Sequence, residues 1–140
     1  MEKFNFLIGS WELKYAIPES KFSVEATGKG EGVFKRALNG KYVYFDYKAE
    51  LTTGSAQAHA VFAKDESHKI YRYWWFEDSG NFLTATCEFT DENTLFLNWH
   101  DTLLIQTFEK ITNDHVVLKM SYPVNKQNYT PLLVVDFFKK

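Results

Sequence analysis

Four polar side chains, Tyr47, Gln57, His59 and Arg72, interrupt apolar stretches of this 140-residue chain in positions where they could do chemistry. Gln57 and His59 alternate with alanines, and Arg72 sits inside the run Ile70-Tyr71-Arg72-Tyr73-Trp74-Trp75-Phe76. Pairing these two segments as strands across residues 64–67 sets His59 opposite Arg72, Val61 opposite Ile70 and Gln57 opposite Trp74. Continuing across Ser79-Gly80 sets Phe76 with Leu83, Trp74 with Ala85 and Arg72 with Cys87. A guanidinium in an apolar wall is costly unless an anion or a hydrogen-bond acceptor meets it. The chemistry this implies is a binding site. Arg72 anchors a carboxylate or phosphate on an otherwise apolar small molecule, His59, Gln57 and Tyr47 add polar contacts, and Phe45, Trp74, Phe76 and Cys87 form the wall. The competing reading is internal pairing of Arg72 with Glu88 or Asp136. Register decides, because a slip of one residue exchanges the two faces and lines the interior with Tyr71, Tyr73, Trp75, Thr84 and Thr86 instead.

Other chemistries have less to stand on. An enzyme reading uses His59 with a nearby carboxylate as acid and base inside the fold. No pair of histidines or carboxylates has metal-ligand spacing, and no phosphate loop or Ser-His-Asp order occurs, so neither a metal nor a cofactor is indicated. Cys87, the single cysteine, reads as a small core residue. A lone cysteine excludes an internal disulfide and fits a reducing, cytoplasmic setting. The net charge of -2 gives no basic footprint for nucleic acid or an anionic membrane. The row Tyr71, Tyr73, Trp75, read as outward, is an aromatic patch suited to a homodimer interface, or equally to cross-strand packing over neighbouring alanines.

These residues need strands to position them. Aromatic residues make up 18% of the chain, and large rings favour strands over helices. Alternating patterns bounded by turn residues predict strands over 11–17, 22–37, 41–51, 55–63, 69–77, 82–89, 94–100, 103–110, 115–122 and 132–138. Asn39-Gly40 fixes one hairpin, since a type I′ turn needs positive φ at both central residues. Counting outward pairs Phe34 with Phe45, Gly32 with Tyr47, Glu31 with Lys48 and Lys29 with Glu50. One face then holds Val43, Phe45, Tyr47, Ala49 and Phe34 beside Gly28, Gly30 and Gly32, and the other holds charges. About ten short strands with no helix beyond a turn or two predict an all-β, single-domain, antiparallel up-and-down β-barrel. Ten strands enclose more space than the eight that side chains can fill.

Gly9-Ser10-Trp11 at the start of the first strand, after a short N-terminal turn, resembles the Gly-x-Trp that opens lipocalins and their calycin relatives, including the fatty-acid-binding proteins. The glycine-notched strand, Asn39-Gly40, the aromatic strand after it and Tyr73-Trp74-Trp75-Phe76 before Asp78-Ser79-Gly80 are similar to an uncharacterised group of small bacterial barrels of that kind. The resemblance implies that Trp11 plugs one barrel end, and that the barrel holds a small hydrophobic or amphipathic ligand.

Overall fold

The computed structural model describes residues 1–100, 102–125 and 127–140. A short 3-10 helix, Glu2–Leu7, leads into ten strands: β1 Gly9–Ile17, β2 Ala26–Ala37, β3 Tyr42–Leu51, β4 Gly54–Asp65, β5 Ile70–Glu77, β6 Phe82–Asp91, β7 Thr94–Trp99, β8 Ile105–Thr112, β9 His115–Pro123 and β10 Tyr129–Lys139. Each strand pairs antiparallel with the next, and β1 pairs with β10, which closes the barrel. The all-β barrel expected from the strand pattern is what forms. Closure removes the free edges that would otherwise template aggregation. No helix among the described residues is long and apolar enough to cross a membrane.

The β2–β3 hairpin follows from its turn residues. Asn39 and Gly40 take φ of 60° and 77°, and the register Phe34↔Phe45, Gly32↔Tyr47, Glu31↔Lys48 and Lys29↔Glu50 is the one the turn dictates. Phe22 to Glu25 precede β2 in a loop, so the strand is shorter than its apolar pattern suggested. The alternate glycines of β2 let the sheet bend tightly. A Cβ on Gly30 would stand 2.2 Å from the Lys48 carbonyl oxygen and 2.9 Å from Ala49 Cα, and one on Gly32 would meet the Phe45 ring at 2.7 Å. The space the glycines leave is therefore taken by the neighbouring strand and by a ring.

The strands alternate between the two barrel ends, and the ends differ. Four connections and the 3-10 helix gather at one end, where Phe4 and Leu7 are fully buried. The Phe4 ring meets Phe62, Tyr71 and Phe89 at 5.0–5.2 Å. The Trp11 indole N–H donates to the Leu7 carbonyl at 2.8 Å, and Lys139 Nζ lies 5.5 Å from the Trp11 ring. Trp11 thus closes this end, as its resemblance implied. Above the plug, Phe34, Phe45, Phe62, Phe108 and Phe137 pack ring against ring and fill the closed half. The half toward the other end is not filled.

Candidate functional site

A cavity of about 400 Å³ occupies the open half. Its walls come from nine strands, among them Tyr15 and Ile17 of β1, Phe45 and Tyr47 of β3, Ala56 of β4, Tyr73, Trp75 and Glu77 of β5, Leu83 of β6, Trp99 of β7, Gln106 of β8, Leu118 and Met120 of β9, and Leu133, Val135 and Phe137 of β10. Every second residue of a strand faces inward. The row Tyr71, Tyr73, Trp75, Glu77 therefore points into the barrel, while Arg72, Trp74 and Phe76 point out.

The polar atoms of the cavity are few and mostly neutral. The Trp99 indole N–H donates to Gln106 Oε1 at 3.2 Å, and Gln106 is 4% exposed. Tyr73, 2% exposed, has no hydrogen-bond partner among the described residues, and the same holds for Tyr15; both open onto the cavity. Burial pushes all three phenols up. Tyr47 is raised to about 12, by burial and then by the carboxylates of Glu77 and Asp78, offset in part by the Trp75 indole N–H. Tyr15 and Tyr73 rise further, by burial first, then for Tyr15 through Tyr47 and for Tyr73 through Tyr47, Cys87 and Tyr15. Removing a phenol from water disfavours its anion, so these are neutral hydroxyls able to donate or accept. No Lys, Arg or His of the described residues lines the cavity.

The expected site residues divide. Phe45 and Tyr47 line the cavity. Cys87 faces inward beside Tyr71 but lies deeper, in the packed half, where burial pushes its thiol up and leaves it protonated. Gln57, His59, Arg72, Trp74 and Phe76 are on the outer face, a correction to the register argued from the turns. The β4–β5 connection is residues 66–69, because Asp65 stays in the strand. Its carboxylate accepts from Ser67 Oγ at 2.8 Å, the His68 backbone N–H at 3.1 Å and Arg72 Nε at 2.8 Å. His59 consequently faces Phe76, and Arg72 faces Ala63. The β5–β6 turn then shifts the pairing by one, giving Phe76↔Phe82, Trp74↔Thr84 and Tyr73↔Ala85. That single step exchanged the faces of β5 while leaving Leu83, Ala85 and Cys87 inside.

Arg72 thus pairs with Asp65 rather than with Glu88, Asp136 or a ligand, and its guanidinium holds the Asp65 carboxyl well below the usual range. Asp136 takes His115 instead, at 2.8 Å. An acidic ligand group anchored by Arg72 has no basis inside the lumen. The enzyme reading loses its place for the same reason. His59 does have a carboxylate partner, Asp46, but both are about half exposed on the outer wall, away from any cavity. The aromatic row read as a homodimer face, Tyr71, Tyr73 and Trp75, is turned into the barrel. Of the two threonines the alternative register placed in the lumen, Thr86 stays on the outer face opposite Arg72, and Thr84, opposite Trp74, borders the cavity. Sequence reasoning missed Tyr15, Trp99, Gln106 and Glu77. For Tyr15 the signal was present, since it shares the alternation Trp11, Leu13, Tyr15; for Gln106 nothing in the local sequence marks it as inward.

Solved structures place this architecture. The M. tuberculosis protein Rv2717c superposes with a TM-score of 0.68 at 11% identity, over 99% of this chain and 96% of that one. An S-type phycobiliprotein lyase from Guillardia theta gives 0.59 at 9% identity, over 99% and 91%. A de novo designed fluorescence-activating β-barrel gives 0.56 at 10% identity, over 100% and 99%. The fold these structures share with this chain is a closed antiparallel β-barrel of lipocalin-like type, here with ten strands. No protein-family model matches the sequence, and no curated protein matches it. The ten-stranded lumen is divided: the half behind Trp11 is packed with rings, and the half beyond Phe45 is hollow.

Proposed function

We propose that this calycin-like barrel binds a small, partly apolar molecule in the open half of its lumen. The observation that carries the reading is a cavity of about 400 Å³ whose apolar wall is punctuated by the neutral hydrogen-bonding groups of Tyr15, Tyr47, Tyr73 and Gln106. That size and that mixture of wall and polar points are typical of small-molecule sites. Hydroxyls that open onto the cavity without protein partners are free to hydrogen-bond a ligand that displaces water from them. The same fold serves a designed fluorescence-activating barrel and a phycobiliprotein lyase; at 10% and 9% identity that likeness supports a barrel able to host a molecule and leaves its identity to this chain's own residues.

Melting the protein against a panel of fatty acids, fatty amines, tetrapyrroles and aromatic acids tests the proposal, because a ligand that binds only the folded state raises the melting temperature. At least one class should raise it, and Ala56→Trp, which puts a large ring at the cavity mouth, should abolish the rise. A panel that leaves the melting temperature unchanged, or a rise that survives Ala56→Trp, counts against binding in the lumen.

A further inference from the structure

The mouth of the cavity carries a charge that the sequence did not assign to it. Glu77 is the last inward residue of β5, after Tyr71, Tyr73 and Trp75, and it lines the cavity. Its backbone and side chain are both fixed by the turn that follows. Glu77 N–H donates to the Asn81 carbonyl at 3.0 Å, Gly80 N–H donates to the Glu77 carbonyl at 3.0 Å, and Ser79 Oγ and Asn81 Nδ2 both donate to Oε1, the latter at 2.8 Å. Oε2 takes no hydrogen bond from any described residue. Asp78 adjoins it, and no described Lys, Arg or His lines the cavity to balance either charge. The negative field reaches inward: both carboxylates raise Tyr47.

A second, independent feature points to an occupant beside this carboxylate. Tyr73 and Gln106 are almost fully buried, and the Tyr73 hydroxyl and the Gln106 amide nitrogen open onto the cavity with no protein partner among the described residues. The rings of Tyr15, Tyr47, Tyr73 and Trp75 surround the space between those groups and Glu77. Aromatic faces attract cations, most strongly where water is excluded. A carboxylate with one oxygen held and the other open is the usual receptor for an ammonium N–H.

We propose that the lumen selects an amphipathic amine, with its apolar body among the rings and its ammonium at the mouth on Glu77 Oε2. The inference rests on the lumen being a binding site, and it reverses the sign of head group that Arg72 would have selected. The same geometry disfavours a carboxylate head, which would lie against Glu77 and Asp78 with no cation to meet it.

Three ligands that differ only in the head group separate this proposal from the one beneath it: decylamine, decanol and decanoate, titrated by calorimetry below their micelle concentrations at pH 7. Decylamine should bind about tenfold more tightly than decanol, the size of one charge-assisted hydrogen bond, and decanoate more weakly than either. Glu77→Gln should bring decylamine level with decanol while leaving decanol unchanged, and Glu77→Lys should invert the order in favour of decanoate; unchanged far-UV circular dichroism and melting confirm the fold of each variant. Equal or tighter binding of decanoate to the native protein, or a decylamine preference that survives Glu77→Gln, overturns the amine assignment while leaving the lumen a binding site. Failure of all three to bind overturns the binding site and the amine assignment together.

Discussion

Replacing Gly30 with alanine tests whether the bend of β2 over β3 is as tight as the structure has it. Two effects oppose each other. Gly30 does not have positive φ, so alanine can adopt its backbone, and the loss of unfolded-state freedom alone would stabilise the protein by about 0.4–1 kcal/mol. Against this, the new Cβ would stand 2.2 Å from the Lys48 carbonyl oxygen, where carbon and oxygen normally approach no closer than about 3.3 Å. The obstacle is backbone, flanked by Ala49 Cα at 2.9 Å and Ala49 Cβ at 3.1 Å, so no side chain can swing away. The two strands must part by about 1 Å in the middle of their ladder, and overpacking of that kind costs about 1–3 kcal/mol. The clash outweighs the entropy, for a net loss of about 1–2 kcal/mol and a fall in melting temperature of about 5 °C. Urea denaturation is the assay: the midpoint should drop while the slope stays constant, which marks a change in stability rather than in the unfolded state. A Gly30→Ala protein as stable as the parent, or more stable, would refute the close approach of β2 and β3.

Two further predictions follow from charges and hydroxyls. Tyr47 is raised from 10 to about 12 in the folded protein, so its contribution to stability is complete below pH 10 and is lost as pH rises from 10 to 12, a loss of about 3 kcal/mol for two units. Denaturation midpoints measured from pH 8 to pH 12 should fall steeply above pH 10, and the fall should be shallower in Tyr47→Phe; an identical alkaline profile in the variant would contradict the burial of that phenol. Arg72→Ala should leave ligand affinity unchanged, since the guanidinium is outside and holds Asp65. The loss should appear as reduced stability above pH 4, disappearing as Asp65 is protonated at lower pH, whereas a tenfold loss of affinity in calorimetry would return Arg72 to the lumen.

The sequence made some of this architecture legible and hid the rest for identifiable reasons. Asn39-Gly40 pinned β2 against β3 residue by residue, because positive φ at two adjacent positions leaves one tight turn and one register. Trp11 at the closed end and the hollow of a ten-stranded barrel were also within reach of pattern and strand count. The faces of β4 and β5 were not. Gln57-Ala58-His59-Ala60 reads as polar-in or polar-out equally well when the alternating partners are alanines, and six consecutive aromatic or basic residues, Tyr71 to Phe76, carry no period of two. The turn between them was set by contacts that only the fold creates, chiefly Asp65 reaching Ser67, His68 and Arg72. A one-residue step at the next turn moved Arg72 from the lumen to the surface. The acidic-ligand expectation went with it, and Glu77, at the end of β5, lines the mouth as its charged group.

The four tryptophans offer the most direct test of which side chains face the lumen. Their indole N–H groups give separate signals in a proton–nitrogen correlation spectrum. Trp75 and Trp99 line the cavity, Trp11 seals the far end and Trp74 stands on the outer wall beside Val61 and Thr84. On titration with decylamine the Trp75 and Trp99 indole signals should shift together and saturate, while the Trp74 signal stays in place. A titration in which Trp74 shifts and Trp75 and Trp99 do not would contradict the account.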